Sequence, residues 1–399
     1  MSRFHLAVAL DGAGWHPAAW RTASARADAL FDARYWTGLA RLADGAGIDF
    51  VTFEDALTLQ SADPRDPDER VDHVRGRLDA HLVATLVAPA TRRIGLVPTI
   101  TTTHTEPFHV ANRIASLDHV SHGRAGWRVQ VMRQAAEVLQ FGRRDDVVAP
   151  PVAPAATLAN SVPPLFAEAA DAVEVARRLW DSWEDDAEIR DQATGRFIDR
   201  DKLHTVDFDG RFFSVRGPSI TPRPPQGQPV VALLAHGTPA YELAATSADV
   251  VFTTPRDAED ASRIVAELRS ARRVAGNPDP LLVFADVLVL LDRDAPAADQ
   301  ALDALDTLAG APLRSDARIV ASDAVGLADL LEQFADAGIQ GFRLRPARLP
   351  ADLQAITADL VPELHRRGAL HALDASSLRG ILGLPRPANR YAVTAGGTS

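Results

Sequence analysis

The chain has 399 residues, 46% of them hydrophobic, which supplies enough apolar side chains for one large core. Its formal net charge of −11 argues against a surface for nucleic acid or anionic membranes, because binding polyphosphate requires a concentrated excess of Lys and Arg. The sequence has no cysteine and no run of about 18 apolar residues, which excludes disulfides and thiolate metal ligands and predicts no membrane span. We therefore expect a cytoplasmic protein that acts on a small molecule.

Short apolar runs alternate along the chain with segments of helical periodicity, which is typical of repeated βα units and a parallel sheet. Eight such units in about 370 residues favour a closed (β/α)₈ TIM barrel over an open doubly wound sheet. The predicted strands are Phe4–Leu10, Asp49–Phe53, Arg93–Thr99, Ala125–Met132, Pro229–Ala235, Asp249–Thr253, Leu281–Leu290 and Gly341–Leu344. The predicted helices are Tyr35–Asp44, Pro107–Leu117, Leu165–Trp183, Asp257–Arg273, Ala297–Leu308 and Ala324–Ala337.

Two segments interrupt this alternation. Residues 145–164 are rich in Pro, Ala and Val, which predicts a loop or insertion between the fourth strand and its helix. Residues 190–228 contain a predicted hairpin of Val206–Phe208 and Arg211–Val215, followed by a proline-rich run. Long insertions on a barrel are often lids or binding loops. We predict one barrel domain over residues 1–390, a flexible tail over residues 391–399, and no clear barrel role for the chain beyond Ala369.

The βα loops of such a barrel converge at the carboxyl ends of the strands, so polar residues there are candidate site residues. Arg128 and Gln130 are two residues apart in the fourth strand and therefore share one face of it. An inward Arg128 is either a cation of the pocket or part of a buried ion pair with Glu54 or Asp55, since a buried charge needs a partner.

His104 follows three threonines at the end of the third strand. Its ordinary pKa of roughly 6.5 suits proton transfer or hydrogen bonding to a ligand, although it could equally cap the following helix. Thr101, Thr102 and Thr103 are either a polar pocket wall or ordinary strand residues. A hydrolase or lyase that pairs His104 with a carboxylate such as Asp55 is one functional hypothesis that this arrangement leaves open.

The segment His236-Gly237-Thr238-Pro239 follows the fifth strand and predicts a loop that enters a helix with Thr238 as its cap. Free backbone amides at such a helix start bind anions, whereas an ordinary capped helix is the alternative. Arg343 and Arg345 alternate on one face of the eighth strand, at the end of a barrel where phosphate sites often occur. Ion pairs are the alternative for both arginines.

Several familiar chemistries lack their motifs. The first βα turn, Asp11-Gly12-Ala13-Gly14-Trp15, lacks the third glycine of a dinucleotide-binding turn. His119 and His122 are three residues apart but have no third ligand nearby, so no metal site is predicted. Neither a Gly-x-Ser-x-Gly motif nor a P-loop is present, which argues against the commonest serine hydrolases and nucleotide kinases.

Several strings of the sequence together resemble the luciferase-like flavin monooxygenases, in particular the branch of nitrilotriacetate and dibenzothiophene-sulfone monooxygenases. The resemblance covers most of residues 1–390, and the strings taken together identify the family more specifically than any one of them does alone. The strings that carry it are residues 50–55, 101–109, 116–127, 179–186 and 210–218, together with the Pro-Arg-Pro-Pro-Gln-Gly run at 222–227.

This resemblance implies a barrel that receives reduced FMN from a separate flavin reductase and uses O₂ to oxygenate a small organic substrate. It implies a homodimer, which is frequent in the family. Asp55 and Thr103 match positions that line the flavin, and Gln130 is expected near the flavin ring. A reduced deazaflavin is the alternative cofactor.

The chain departs from that family where the family holds the FMN phosphate. Val162 and Phe166 occupy positions at which the family carries His and Tyr, and neither side chain can hold a phosphate. After the fifth strand, the family's Gln-Ala-Gly-Ser run is replaced by Leu233–Gly237. The family's Asn in the fourth strand is Arg128, and its Tyr after the threonines is His104.

Two hypotheses follow from these departures. Either a rebuilt anion site binds FMN or a deazaflavin, or the chain is a flavin-less pseudoenzyme or ligand-binding barrel. We favour the first because basic groups stand at the strand ends where the neutral phosphate ligands are missing. It assigns catalytic roles, facing the oxygen adduct or substrate, to His104 and Arg128. It assigns phosphate binding to His236, Gly237, Thr238, Arg343 and Arg345.

Overall fold

Thirteen strands and twelve helices form in the described part of the chain. The computed structural model describes residues 3–60, 70–132, 135–142, 155–371 and 375–392, without the side chains of residues 135, 136, 139 and 155–162. The strands are β1 (His5–Leu10), β2 (Phe50–Phe53), β3 (Gly95–Thr101), β4 (Gly126–Gln130), β5 (Glu188–Asp191), β6 (Arg196–Ile198), β7 (Val206–Asp209), β8 (Ser214–Gly217), β9 (Val230–Leu234), β10 (Val250–Thr253), β11 (Leu282–Leu291), β12 (Arg318–Ser322) and β13 (Gly341–Pro346).

The twelve α-helices of the described ranges differ in length, and the longer ones follow the barrel strands and cover them. They are α1 (Ala33–Gly45), α2 (Ala80–Val87), α3 (Pro107–Val120), α4 (Ala135–Phe141), α5 (Ala155–Asp181), α6 (Thr238–Ser247), α7 (Ala258–Val274), α8 (Ala295–Ala309), α9 (Ala324–Asp336), α10 (Ala351–Ala355), α11 (Val361–Arg367) and α12 (Leu378–Ile381). Side chains of Asp79, Asp257, Asp294 and Asp323 accept hydrogen bonds from the first-turn amides of α2, α7, α8 and α9, which fixes where these helices begin.

The eight predicted strands all form and close into a parallel barrel in the order β1-β2-β3-β4-β9-β10-β11-β13, with β13 returning to β1. Each observed boundary lies within two residues of its predicted position. The predicted closed (β/α)₈ barrel is therefore confirmed.

Helix α5 begins at Ala155, ten residues before the predicted start at Leu165. The prolines at 163 and 164 suggested a loop, but both lie inside the helix. Its later turns bury Ala169, Val173 and Ala176. Packing of this apolar face against α3 and α6 outweighs the local preference of the prolines. The remainder of the predicted insertion, residues 145–154, lies outside the described residues.

Three strand elements of the described residues lie outside the barrel, and two of them were not predicted. The predicted hairpin forms as the antiparallel pair β7–β8, whereas the pair β5–β6 was not predicted. Strand β12 was also missed, since its residues are mostly half-buried and lack an apolar run. β12 pairs in parallel with the second half of β11, from Val287 to Leu291, because β11 has ten residues and extends past its partner β10.

The amino end of the barrel is closed by the segment 375–392, to which the sequence assigned no barrel role. Leu378, at the start of α12, packs inside the barrel in one apolar cluster with Phe50 and Phe284. Glycines make room for it, because a Cβ atom at Gly95 would lie 2.5 Å from Leu378 Cδ1 and 2.8 Å from Phe50 Cβ. The expectation of no barrel role beyond Ala369 was wrong. The apolar residues of this segment are few and lie far in sequence from the strands that they contact, so their role in closing the barrel is visible only in the folded chain.

In the described ranges, none of the helices has both the length and the hydrophobicity needed to cross a membrane.

Candidate active site

A chain of ion pairs crosses the barrel interior near the carboxyl ends of the strands. Arg128 and Thr99 are register partners on β4 and β3, and both side chains point inward. Arg128 Nη1 donates hydrogen bonds to Glu54 Oε2 at 2.8 Å and to Thr99 Oγ1 at 2.9 Å. Arg343 Nη1 donates to the other oxygen, Glu54 Oε1, at 3.1 Å. Glu54 therefore bridges two buried arginines.

The chain of ion pairs continues through a second buried carboxylate. Asp286 is 0% exposed and accepts from Arg343 Nε at 2.8 Å and from Arg345 Nε at 2.9 Å. Arg345 Nη1 also donates to Asp316 Oδ1 at 2.6 Å. We call the six groups Arg128, Glu54, Arg343, Asp286, Arg345 and Asp316 the ion-pair chain. Its three arginines are matched by three carboxylates, so the interior carries little net charge.

The ion-pair chain is charged at neutral pH. Burial raises the pKa of Asp286, but Arg343 and Arg345 outweigh this effect and hold that pKa at about 2. The pKa of Glu54 is also lowered, because its neighbouring arginines outweigh the effect of its burial. Burial lowers the pKa of Arg128 to about 10, which still leaves it protonated. The ion-pair alternative therefore describes Arg128, and its partner is Glu54.

Two buried polar atoms on β4 have no hydrogen-bond partner among the described residues: Arg128 Nε and Gln130 Oε1. Both side chains point to the same side of the strand, as predicted from their spacing. Buried polar atoms in native proteins nearly always have a partner. One unpaired donor and one unpaired acceptor side by side are the arrangement expected where a polar ligand completes the site.

Thr103 and His104 lie in the loop after β3. Thr103 Oγ1 accepts a hydrogen bond from the Met132 amide at 2.9 Å, which ties this loop to the end of β4. The His104 ring stacks on Phe141, with ring centres 4.8 Å apart and planes 7° from parallel. His104 lines a cavity of about 470 Å³ with neighbours from the β7–β8 hairpin, including Phe212. Thr103 and His104 are thus brought to one wall of a cavity.

Asp55 lies at the end of β2 and faces the start of α2. Its Oδ1 accepts from the Ala56 amide at 2.8 Å and its Oδ2 accepts from the Ala80 amide at 3.1 Å. Burial is the largest influence and raises the pKa of Asp55 to about 6, although both amide hydrogen bonds oppose the rise. Asp55 can therefore gain or lose a proton near neutral pH.

The segment after β9 begins helix α6 as predicted, with one difference. Gly237 is the N-cap and Thr238 is the first helical residue, so the prediction that Thr238 caps the helix was wrong. The Gly237 backbone is fully extended, and a Cβ atom there would meet nothing within 4 Å. Space therefore remains open at the Cα atom of Gly237, directly before the first turn of α6.

His236 connects this helix start to the ion-pair chain. Its Nδ1 lies 3.1 Å from Thr254 Oγ1, and its Nε2 lies 3.4 Å from Asp316 Oδ2. Arg343 and Arg345, the other predicted phosphate ligands, are 0% and 5% exposed and bind carboxylates of the protein itself. The structure brings the predicted phosphate residues into one connected region, but it directs the two arginines inward to Asp286.

Phe166, at one position of the missing family phosphate ligands, is partly buried and packs against the main core. The side chain of Val162 lies outside the described ones. Residues of the ion-pair chain that the sequence did not single out are Asp286 and Asp316. The sequence could have indicated Asp286, because it is the one charged residue within the apolar run of β11, and a buried charge needs a partner. Asp316 lies in an ordinary polar loop and had none.

A second cavity, of about 440 Å³, lies at the same end of the barrel between the first βα loop and the segment after α8. Asp11, which directly follows β1, lines it together with Trp15, His73 and Arg314. Asp11 had the same signal as the other candidates, a polar residue at a strand end, whereas Arg314 follows a helix. None of these four was predicted as a site residue. No group of three His, Asp or Glu side chains placed to hold a metal ion occurs in the described ranges.

Comparisons with known proteins agree with this architecture. A family model described as luciferase-like monooxygenase matches residues 13–361. N-acetyl-S-(2-succino)cysteine monooxygenase of Bacillus subtilis is 30% identical, with 97% of this chain and 98% of that protein covered. Nitrilotriacetate monooxygenase component A of Aminobacter aminovorans is 29% identical, with 95% and 96% covered. A crystal structure of riboflavin lyase with modified FMN and substrate riboflavin has a TM-score of 0.83, 22% identity and 98% coverage of both chains.

Proposed function

The chain belongs to the luciferase-like monooxygenase family, and we propose that it is a flavin-dependent monooxygenase that uses reduced FMN and O₂ to oxygenate a small organic substrate. The observation that carries the proposal is the pair of unpaired buried atoms, Arg128 Nε and Gln130 Oε1, at the carboxyl end of the barrel. The edge of a flavin ring alternates hydrogen-bond donors and acceptors, so these two atoms fit it chemically. Bound reduced FMN would supply the activation of O₂.

The ion-pair chain would hold these two atoms in place. Arg128 is fixed by Glu54 and Thr99, and Glu54 is fixed in turn by Arg343. A guanidinium group held in this way can orient a ring and favour negative charge on it without reorganising. Arg343 and Arg345 both donate hydrogen bonds to Asp286. We therefore propose that they position Glu54 and Arg128, and no longer that they bind the phosphate.

The phosphate of FMN would bind at the start of α6. The open space at Gly237 allows an anion to approach the first amides of the helix, which carry partial positive charge. His236 is half exposed beside them and can add a charge-assisted hydrogen bond when it is protonated. A reduced deazaflavin is the alternative cofactor.

Proton transfer falls to Asp55 and His104 in this proposal. The raised pKa of Asp55, about 6, allows it to hold a proton near neutral pH. His104 lines a cavity beside the strand ends, where we expect it to face the oxygen-reactive side of the site. Leu378 and its apolar neighbours fill the amino end of the barrel, so water cannot reach the proposed site from that end.

The chain carries no dinucleotide-binding turn at its first βα unit. We therefore propose that a separate flavin reductase supplies the reduced flavin. We also propose a homodimer, as the family resemblance implies, and the cytoplasm as the compartment. Size-exclusion chromatography with light scattering tests the dimer directly.

A second candidate function is a ligand-binding barrel that has lost its flavin. The observation in its favour is that Phe166 packs against the core and that Arg343 and Arg345 are neutralised by carboxylates. In that case, the unpaired atoms on β4 would bind another polar molecule.

Anaerobic titration of the purified protein with reduced FMN distinguishes the two functions. The flavoenzyme proposal expects saturable binding at micromolar concentration, followed by flavin-dependent O₂ consumption when the mixture is exposed to air. A Gln130→Leu variant should bind the flavin more weakly, while an exposed control, Gln354→Leu on α10, should not. Absence of binding at millimolar reduced FMN contradicts the flavoenzyme proposal and leaves the ligand-binding barrel.

A further inference from the structure

The 440 Å³ cavity beside the proposed flavin site has one end in the barrel interior. Asp11 forms that end, where its carboxylate lies 3.7 Å from Arg77 Nη2. Asp11 also interacts electrostatically with Glu54 and Arg128 of the ion-pair chain. A molecule in this cavity would therefore extend from the protein surface toward the residues proposed to hold the flavin.

The walls of the cavity are largely apolar. Trp15 and Pro17 come from the first βα loop, and Pro312 and Leu313 come from the segment after α8. Val74 contributes from the segment before α2. Apolar walls with a few polar groups are typical of sites for small organic molecules. Its volume of about 440 Å³ lies within the usual range of such sites.

Most of the polar groups around this cavity already have partners within the protein. Arg70 pairs with Asp72 at 2.7 Å. The two ring nitrogens of His16 are occupied by Asp306 and by the Ala18 amide. These groups shape the cavity but have little capacity left for a ligand.

His73 and Arg314 differ from these neighbours. His73 Nε2 is buried and has no hydrogen-bond partner among the described residues. Arg314 is exposed at the opening of the cavity, and no hydrogen bond or ion pair engages its guanidinium group in the described ranges. The cavity thus presents one cation and one imidazole nitrogen that a ligand can use.

We propose that this cavity binds the substrate, and that the substrate is a small organic acid whose anionic group binds Arg314 and His73 while its apolar part points toward Asp11. A guanidinium group binds a carboxylate through two parallel hydrogen bonds, and an imidazole N–H adds a third. Because Arg314 is exposed, the anion would lie on the solvent side of the cavity, which places the opposite end of the molecule toward Asp11. The inference rests on the proposed flavin-dependent function for its chemistry, although the binding preference can be measured without flavin.

The charge on Asp11 does not oppose this orientation. Burial is the largest influence on Asp11 and raises its pKa, and the nearby Glu54 adds to the rise, although Arg77 and Arg128 oppose it. The Asp11 carboxyl lies at the end of the cavity near Arg77, whereas the exposed Arg314 lies on the solvent side. The two ends therefore select opposite parts of one amphipathic molecule.

Isothermal titration of the flavin-free full chain with phenylacetate and phenylacetamide tests the proposal. The two probes have the same shape and differ in charge, so their difference in affinity isolates the anion site. We expect phenylacetate to bind about tenfold more tightly than the amide, with a preference that weakens as salt is added. Arg314→Gln should remove most of the preference and His73→Gln part of it. The control Arg293→Gln, at an arginine that is 80% exposed outside the cavity, should leave the preference unchanged.

Equal affinity for the two probes, no binding of phenylacetate at millimolar concentration, or a preference that survives in both variants would overturn the proposal. Titration of the same proteins with reduced FMN separates this outcome from failure of the proposed function. A parent chain that binds reduced FMN but not phenylacetate loses only the inference about the substrate. A parent chain that prefers phenylacetate but does not bind reduced FMN loses only the flavoenzyme proposal.

Discussion

The two ends of the barrel both contain buried arginines and carboxylates, but they differ in how completely these groups are paired. At the amino end, Asp249 accepts from Arg177 at 3.1 Å, from Arg379 at 3.2 Å and from the Val231 amide at 2.9 Å. Leu378 then fills the space between the strands. At this end, the charges of Asp249, Arg177 and Arg379 are therefore paired, and apolar side chains close the barrel.

At the carboxyl end, most of the ion-pair chain is also buried, although the side chain of Asp316 is 43% exposed, and the pairing of polar atoms is incomplete. Arg128 Nε and Gln130 Oε1 have no partner among the described residues, and two cavities lie at the same end of the barrel. Since an unpaired buried polar group costs about 1–3 kcal/mol, such atoms persist where a ligand repays the cost. In this barrel, unpaired buried polar atoms distinguish the binding end from the structural end better than buried charge does.

The largest expected effect comes from breaking the ion-pair chain at its centre. Asp286→Asn removes the charge between Arg343 and Arg345, and we expect a loss of about 3–5 kcal/mol in the free energy of unfolding, because two buried cations lose their shared partner. Urea denaturation measures the loss. The control Asp303→Asn, at an exposed position on α8, should stay within about 0.5 kcal/mol of the parent. A loss below about 1 kcal/mol for Asp286→Asn would show that the chain contributes little to stability.

A smaller loss of stability is expected when the closed end is opened. Leu378→Ala leaves a cavity among apolar neighbours and should cost about 2–4 kcal/mol in the free energy of unfolding. Because the change lies at the amino end, the affinity for reduced FMN should match that of the parent. Leu308→Ala, at a leucine that is 42% exposed, is the matched control. A folded Leu378→Ala protein with weakened flavin binding would contradict the functional separation of the two ends.

Gln130→Leu changes the carboxyl end of the barrel, where the unpaired atoms lie. It replaces an unpaired acceptor with an apolar side chain, so the free energy of unfolding should stay within about 0.5 kcal/mol or rise. Flavin affinity should fall about tenfold, because a hydrogen bond to the ring is lost. Anaerobic titration and urea denaturation of the same sample give both quantities. Lower stability with unchanged flavin affinity would assign Gln130 to the structure instead of the site.

The smallest expected effect is on pH dependence. Burial raises the pKa of Asp55 to about 6, above its value in the unfolded chain, so the folded state binds the extra proton. The stability contributed by that proton is present below about pH 4 and is lost as pH rises through about 6. Asp55→Asn should therefore flatten the fall in thermal stability between pH 4 and pH 7, as measured by calorimetry.

Asp118 provides the matched comparison, because burial also raises its pKa to about 6 at the amino end of the barrel, where Gln226 binds it. Asp118 should keep part of the pH dependence in the Asp55→Asn variant. Addition of reduced FMN should alter the pH dependence of the parent but not of Asp55→Asn. An identical effect of flavin on both proteins would count against a role for Asp55 at the flavin.

Much of the fold could be predicted because it follows from the local periodicity of apolar residues. The apolar runs of β1, β2 and β11 are each followed by amphipathic helices, and this repeat predicts a parallel barrel without any knowledge of contacts. The spacing of Arg128 and Gln130 predicts that they share a face, because side chains alternate along a strand. Strand β12 lacks such a pattern, and only its pairing with β11 makes it a strand.

The candidate site was predicted in part. Glu54 was foreseen as a partner for Arg128, and residues at the strand ends after β2, β3, β4 and β9 do lie at the carboxyl end of the barrel. The partners of Arg343 and Arg345 could not be predicted, because Asp286 is 57 residues from Arg343 and Asp316 is 29 residues from Arg345 in the sequence. Whether an inward arginine binds a ligand or a carboxylate depends on which residues the neighbouring strands place opposite it.

The order of strands and helices, the inward face of each strand and the family resemblance could all be predicted from the sequence, since they depend on local spacing or on contiguous strings. Three further features became apparent only in the folded chain: segment 375–392 closes the amino end, Arg343 and Arg345 bind Asp286, and Arg314 faces the same cavity as Asp11. Each of these contacts joins residues far apart in the chain. Local patterns carry no information about such contacts, because barrel closure and loop packing bring the residues together.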